Sequence, residues 1–99
     1  MASEAQHDEQ LVVIWSSADR EVALKMVFMY TYNAKRRGWW QHVTLVVWGP
    51  SAPLMAQDAE LQERLAKMKS AGVELLACKA CADQYGVSDQ LSALGIDVI

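Results

Sequence analysis

At 99 residues the chain has room for one domain, and 53% of it is hydrophobic, rich for a domain that can bury only a modest share of its own surface. That surplus of Trp, Met, Tyr and Val points to apolar surface covered by another subunit. The net charge of −3 argues against a nucleic-acid partner, and no stretch is long and apolar enough to span a bilayer.

Residues 1–10 are polar and acidic. They read as a flexible tail without the apolar core of a signal peptide, so the expected location is the cytoplasm, and one α/β domain is expected over 11–99. Residues 11–15 are continuously apolar, as in a strand covered on both faces. Ser16 or Ser17 is then placed to cap a helix over 18–37, with Asp19 and Glu21 in its first turn. This helix is apolar around most of its circumference. Val22, Met26, Met29 and Asn33 trace one face, and Ala23, Val27, Tyr30 and Ala34 trace its neighbour. One side is expected on the sheet and another at a subunit interface. Lys35-Arg36-Arg37 complement the C-terminal end of the helix dipole, and Gly38 ends the helix.

A second strand is expected over 43–48, broken by Gly49-Pro50-Ser51-Ala52-Pro53. A single helix follows over 53–70. Leu54, Leu61, Leu65 and Met68 are its buried stripe, Glu60, Glu63, Arg64 and Lys67 its solvated face, and Gly72 its stop. A third strand over 73–77 leads into Cys78-Lys79-Ala80-Cys81 and a short helix ending near Tyr85-Gly86. Ser88 is placed to cap another helix over 89–94, Gly95 terminates it, and 96–99 read as a fourth strand. Helical sequence in each connection calls for parallel strands with right-handed crossovers: a three-layer α/β/α fold with a mainly parallel sheet and flavodoxin-like layering.

In such sheets, sites gather beyond the carboxyl ends of the strands. Those ends carry Ser16 and Ser17, then Gly49, Pro50 and Ser51, then Cys78, with Trp15 and Trp48 as candidate walls. Cys78 and Cys81 are the chain's two cysteines. At a helix N-terminus, unpaired N–H groups favour the thiolate, which makes Cys78 the candidate nucleophile. Cys81, a helical turn later, is placed to resolve a persulfide or disulfide formed there, and Lys79 adds positive charge. The competing reading packs both cysteines as small hydrophobes. Zinc needs four ligands and the chain offers these two with His7 and His42, so only an intersubunit site would work, and no metal or cofactor is expected. Ser51 lacks a Gly-x-Ser-x-Gly elbow and reads as a cap or pocket hydrogen-bond donor. Asp58, Glu60 and Glu63 read as solvated charge. Walker A and GxGxxG motifs are absent.

Val47-Trp48-Gly49-Pro50-Ser51-Ala52, then Ala71-Gly72-Val73-Glu74-Leu75-Leu76-Ala77-Cys78-Lys79-Ala80-Cys81, Tyr85-Gly86-Val87 and Leu94-Gly95-Ile96-Asp97-Val98 form an ordered set. In that order the chain from Leu11 onward resembles the small single-domain DsrE/DsrF-like proteins. The resemblance implies homo- or hetero-oligomers, often trimers or hexamers. It also implies, in members linked to sulfur oxidation or tRNA thiolation, a cysteine after a sheet strand that carries sulfur as a persulfide. Cys78 matches that position, and Cys81 a second cysteine of some members. Where sulfur carriers often have Arg-Gly soon after the cysteine, this chain reads Asp83-Gln84-Tyr85-Gly86. Many relatives continue past the equivalent of Ile99, so truncation, or completion of the last strand by a neighbour, is expected.

The leading expectation is therefore a cytosolic sulfur-transfer or thiol-relay protein, a homo-oligomer working with a sulfur donor or acceptor protein. The alternative is a non-enzymatic oligomeric small-ligand-binding or interaction module with structural cysteines. A thioredoxin-like reductase fits less well, because its CxxC would follow an early strand and a Trp, whereas here Ala77 precedes it.

Overall fold

Four strands form one parallel sheet in the order β1-β2-β3-β4: β1 (Gln10–Trp15), β2 (His42–Val47), β3 (Glu74–Ala77) and β4 (Asp97–Val98). The structure is a computed structural model that describes residues 9–99. The tail expected over 1–10 thus lies outside the described residues except for its last two positions, and Gln10 already pairs with His42 in β1. The class is the α/β fold with a mainly parallel sheet expected from the sequence.

The pairing register aligns side chains in rows across the sheet. Val13, Leu45 and Leu75 share one row, and Trp15, Val47, Ala77 and Val98 the next. These rows pack into the core with the helices. The alternate rows, Val12 with Thr44 and Glu74, and Ile14 with Val46, Leu76 and Asp97, point the other way. There the reading of 11–15 as a strand covered on both faces does not hold: Val12 is 54% exposed and Ile14 56%. The reason is topological. When each strand is added beside its predecessor, like-handed crossovers send their helices to the same face. The apolar run of β1 therefore has a helix-covered side and an open one.

The first crossover is continuous but not uniform. It runs α1 (Arg20–Val22), a π-helical turn (Ala23–Val27) and α2 (Phe28–Arg36). Its N-cap is Asp19, not Ser16 or Ser17. The Asp19 carboxylate accepts from the N–H of Glu21 at 2.8 Å and of Val22 at 3.2 Å, while Ser17 Oγ accepts from Asp19 N. The π turn spends an extra residue and so slips the phase of the helix. Its buried residues are Ala23, Phe28, Thr31 and Ala34, five residues and then three apart. Of the two faces expected, the one with Ala23, Val27 and Ala34 turns inward except at Tyr30, and Met26 and Met29 of the other are exposed.

The second crossover also departs from expectation. One helix over 53–70 becomes two, α3 (Ser51–Gln57) and α4 (Ala59–Ala71), separated by Asp58 in extended conformation. Asp58 caps α4 by accepting from Leu61 N at 3.1 Å, and Gln62 Nε2 donates to the Met55 and Ala56 carbonyls that the break leaves open. Nor are Asp58 and Glu60 simply solvated, since Arg20 pairs with both. Glu63 stays exposed. Leu61, Leu65 and Met68 form the buried stripe of α4. Gly72, at φ +104, closes it in the left-handed conformation. The last crossover holds α5 (Lys79–Tyr85) and α6 (Ser88–Ala93). Ser88 does not cap α6; its hydroxyl donates to Asp83. Among the described residues no helix is long and apolar enough to cross a membrane.

Candidate functional site

Cys78 sits where β3 becomes α5. Its backbone is extended (φ −72°, ψ 117°) and its N–H bonds Val47 O at 3.0 Å, so the ladder runs through it. Its carbonyl then accepts from Ala82 N at 3.0 Å, the first turn of α5. Cys78 is thus the N-cap of that helix. Strand alternation sends Sγ to the face of Leu76 and Val46, the open side of the sheet.

No hydrogen bond of ordinary geometry closes onto Sγ. Even so, the backbone N–H of Cys81, the Cys81 thiol and the N–H of Ala80 hold the Cys78 thiol below its usual pKa. This is the expected field of an uncapped helix N-terminus. Cys81 moves the opposite way. The Cys78 side chain and partial burial push its thiol up, against a smaller pull from the Gly49 N–H and the Trp48 side chain. The lowering thus falls on the cysteine at the helix N-terminus and the raising on the one a turn further along. Both are unbridged and half-buried.

A recess of about 230 Å³ opens beside Cys78, lined by Val46, Trp48, Leu76, Ala77 and Ile99. Main-chain pairing carries Ile99 there: its N–H bonds Ala77 O at 3.0 Å and its carbonyl accepts from Lys79 N at 2.9 Å. A larger hollow of about 490 Å³ lies between α2 and α4 and holds neither cysteine. The thiols, not the volume, single out the smaller recess as the candidate site.

The strand-end residues fare unequally. Trp48 lines the recess, but Trp15 is 1% exposed, its ring packed edge-on against Phe28 at 4.9 Å. Gly49, at φ +68°, turns the chain so that its N–H reaches toward Cys81. Pro50 caps α3 and makes no contact with the recess. Ser51 is fully buried and its hydroxyl is spent on the main chain, donating to Trp15 O at 2.6 Å and accepting from Trp48 N at 3.2 Å. It ties β1 to β2 and offers nothing to a ligand. Ser16 is exposed, and neither it nor Ser17 lines the recess. Lys79 Nζ turns away to Asp83, 3.1 Å off, instead of facing a thiol. Two of the three strand ends therefore converge on the sulfur atoms, and the end of β1 does not. Val46, Leu76 and Ile99 escaped the sequence reading; the signal for them was two-residue alternation counted back from Cys78.

Among the described residues no three His, Cys, Asp or Glu side chains cluster as metal ligands. His42 opens β2, at the opposite end of the sheet from Cys78, and His7 lies outside the described residues.

The model of the DsrE/DsrF-like family matches residues 10–99. A conserved protein of unknown function from Bacteroides thetaiotaomicron has a similar solved structure, with a TM-score of 0.90 and 32% identity over 95% of this chain and 81% of that one. No curated protein matches the chain.

Proposed function

The chain belongs to the DsrE/DsrF-like family, and from that premise we propose that it carries sulfane sulfur as a persulfide on Cys78 in a thiol relay. The observation that carries this reading is geometric: Cys78 stands at the N-terminus of α5, one helical turn before Cys81, beside an accessible recess. Only a thiolate attacks sulfur at a useful rate.

In the forward step the Cys78 thiolate attacks the outer sulfur of a donor persulfide. The donor S–S bond breaks, the donor leaves as its thiolate, and Cys78 holds the sulfur as Cys78–S–S⁻. An acceptor nucleophile then takes the terminal sulfur and returns Cys78 to thiolate. Cys81 supplies a second exit. Its attack on Cys78 Sγ forms the Cys78–Cys81 disulfide and expels the outer sulfur, which takes up two electrons and the Cys81 proton and leaves as HS⁻. A dithiol reductant must then reopen the disulfide. The partners are a sulfur donor and a sulfur acceptor protein, and a reducing compartment such as the cytoplasm keeps the pair as thiols.

The test is thiol-resolved mass spectrometry after exposure to a small-molecule persulfide. An adduct of about 32 daltons, one sulfur atom, is expected on Cys78, longer-lived in Cys81→Ser and lost in Cys78→Ser. Equal loading of Cys78→Ser and the parent refutes the proposal. The exposed sheet face favours one other reading, an oligomeric interaction module with inert cysteines. Alkylation of both native thiols at the slow rate of buried cysteines selects that reading.

A further inference from the structure

The larger hollow, between the first crossover helix and α4, takes no part in the thiol chemistry. Its volume of about 490 Å³ is within the range of sites that enclose small ligands. Its floor is apolar: Phe28 and Met68 are buried, Leu24 is half-buried and Met29 is exposed. Along α4 it reaches from Glu60 to Met68, about 12 Å at the helical rise. Two smaller hollows continue it as a groove, one sharing Leu24 and Lys25 with it, the other Tyr32 and Lys67.

The rim is basic, in a chain whose net charge is −3. Lys25, Arg64 and Lys67 stand there against one carboxylate, Glu60. That carboxylate is already held, by Arg20 at one oxygen and by Arg64 at the other, 3.5 Å away. Lys25 faces Glu21 at 3.8 Å with both side chains more than 70% exposed, a pair that solvent screens to little. Among the described residues Lys67 has no ion-pair partner. The π turn over Ala23–Val27 is a separate sign. Such turns are rare and fall frequently at functional sites. This one lends nothing to the recess at Cys78, and it supplies Leu24 and Lys25 to the hollow.

We propose that this hollow binds a small amphipathic carboxylate, an apolar chain or ring that bears one acid group. The apolar body lies over Leu24, Phe28, Met29 and Met68, and the carboxylate pairs with Lys67, the cation that has no partner of its own. The charges around the rim set the choice. A cationic amphiphile would meet two ammonium groups and a guanidinium of its own sign, and an uncharged one would leave Lys67 as it stands. Burial of the apolar body supplies the affinity, and the basic rim supplies the selection among ligands of the same shape. The site is separate from the cysteine pair and holds whether or not Cys78 carries sulfur.

The test is isothermal titration calorimetry of the full chain with decanoate. Decanol and decyltrimethylammonium, which carry the same alkyl chain with no charge and with the opposite charge, run beside it. One decanoate per chain is expected, with both comparison compounds weaker by about tenfold or more, the worth of one charge-assisted contact. Lys67→Glu is expected to weaken decanoate by a similar factor, and Met29→Asp, which sets a carboxylate in the floor, to weaken it as well. Val12→Asp, on the open sheet face, is expected to leave it unchanged. All three side chains are exposed, and unchanged far-UV circular dichroism shows that each variant folds. Lys67→Glu decides the matter by itself if Met29→Asp disturbs the fold. No binding of decanoate at millimolar concentration overturns the proposal. Decanol or decyltrimethylammonium bound as tightly as decanoate overturns it in favour of an unselective apolar surface. Binding indifferent to Lys67→Glu overturns it too, and loss in Val12→Asp then places the amphiphile on the open sheet face.

Discussion

Replacing Ser51 with Ala removes one buried hydroxyl at the point where β1, β2 and the turn beside Cys81 are joined. The hydroxyl has a single hydrogen, and its shortest contact is Trp15 O at 2.6 Å; Trp48 O is also within reach at 3.0 Å. The lone pair receives Trp48 N at 3.2 Å. Those two main-chain groups also meet each other directly, Trp48 N to Trp15 O at 3.0 Å. Ser51→Ala therefore leaves neither of them orphaned in the interior, and the full penalty of an unsatisfied buried group does not fall due. The loss is one net hydrogen bond, about 1–1.5 kcal/mol. For a domain of this length that corresponds to a fall in melting temperature of roughly 4–12 °C. Urea unfolding followed by far-UV circular dichroism measures it, with the slope m unchanged. A loss below about 0.3 kcal/mol would mean that the hydroxyl is not engaged, and one above about 3 kcal/mol that the direct Trp48–Trp15 bond does not survive without it; either refutes the reasoning.

Other consequences follow from the same geometry. Alkylation across a pH series is expected to label Cys78 at lower pH than Cys81, and Cys81→Ala to move the Cys78 profile upward while leaving it below that of an ordinary thiol, since the N–H groups remain; coincident profiles in the parent contradict this. The Arg20 hydrogen bond, aided by the Leu61 N–H, holds Asp58 below its ordinary 3.8. Its share of stability is therefore whole above that value and lost as pH falls through the folded-state pKa. Asp58→Asn, which keeps a capping oxygen, is expected to flatten the acid limb of the stability curve, and an unchanged limb counts against the pairing. Leu45, fully buried in the central strand β2, is expected to cost about 2–5 kcal/mol when cut back to Ala, read by urea unfolding; a smaller cost would mean that the centre of the sheet is not packed.

The sequence by itself determined what depends on near neighbours. The apolar runs located all four strands to within a residue or two. Gly38, Gly72, Gly86 and Gly95 take positive φ where helix stops were read. Cys78-Lys79-Ala80-Cys81 was placed at the end of the third strand because the preceding run and the following helix are local signals, and the ordered motifs carried the family. Some local readings failed where two local signals compete. Asp19 displaced Ser16 and Ser17 as cap, and Asp58, which caps and breaks at once, split a helix whose hydrophobic stripe runs on past it.

Only the tertiary structure decided which faces meet. Strand order is a long-range choice, and it left β1 with one open side that its uniformly apolar sequence does not announce. A single π turn sets the buried Ala23 and Phe28 five residues apart, a spacing that a constant 3.6-residue period does not anticipate. Ser51 looks like any strand-end hydroxyl until β1 lies beside β2, and then the Trp15 carbonyl claims it. Cys78 and Ile99 are twenty-one positions apart, and they line one recess only because β4 adds beside β3 and carries the chain end back to the thiol.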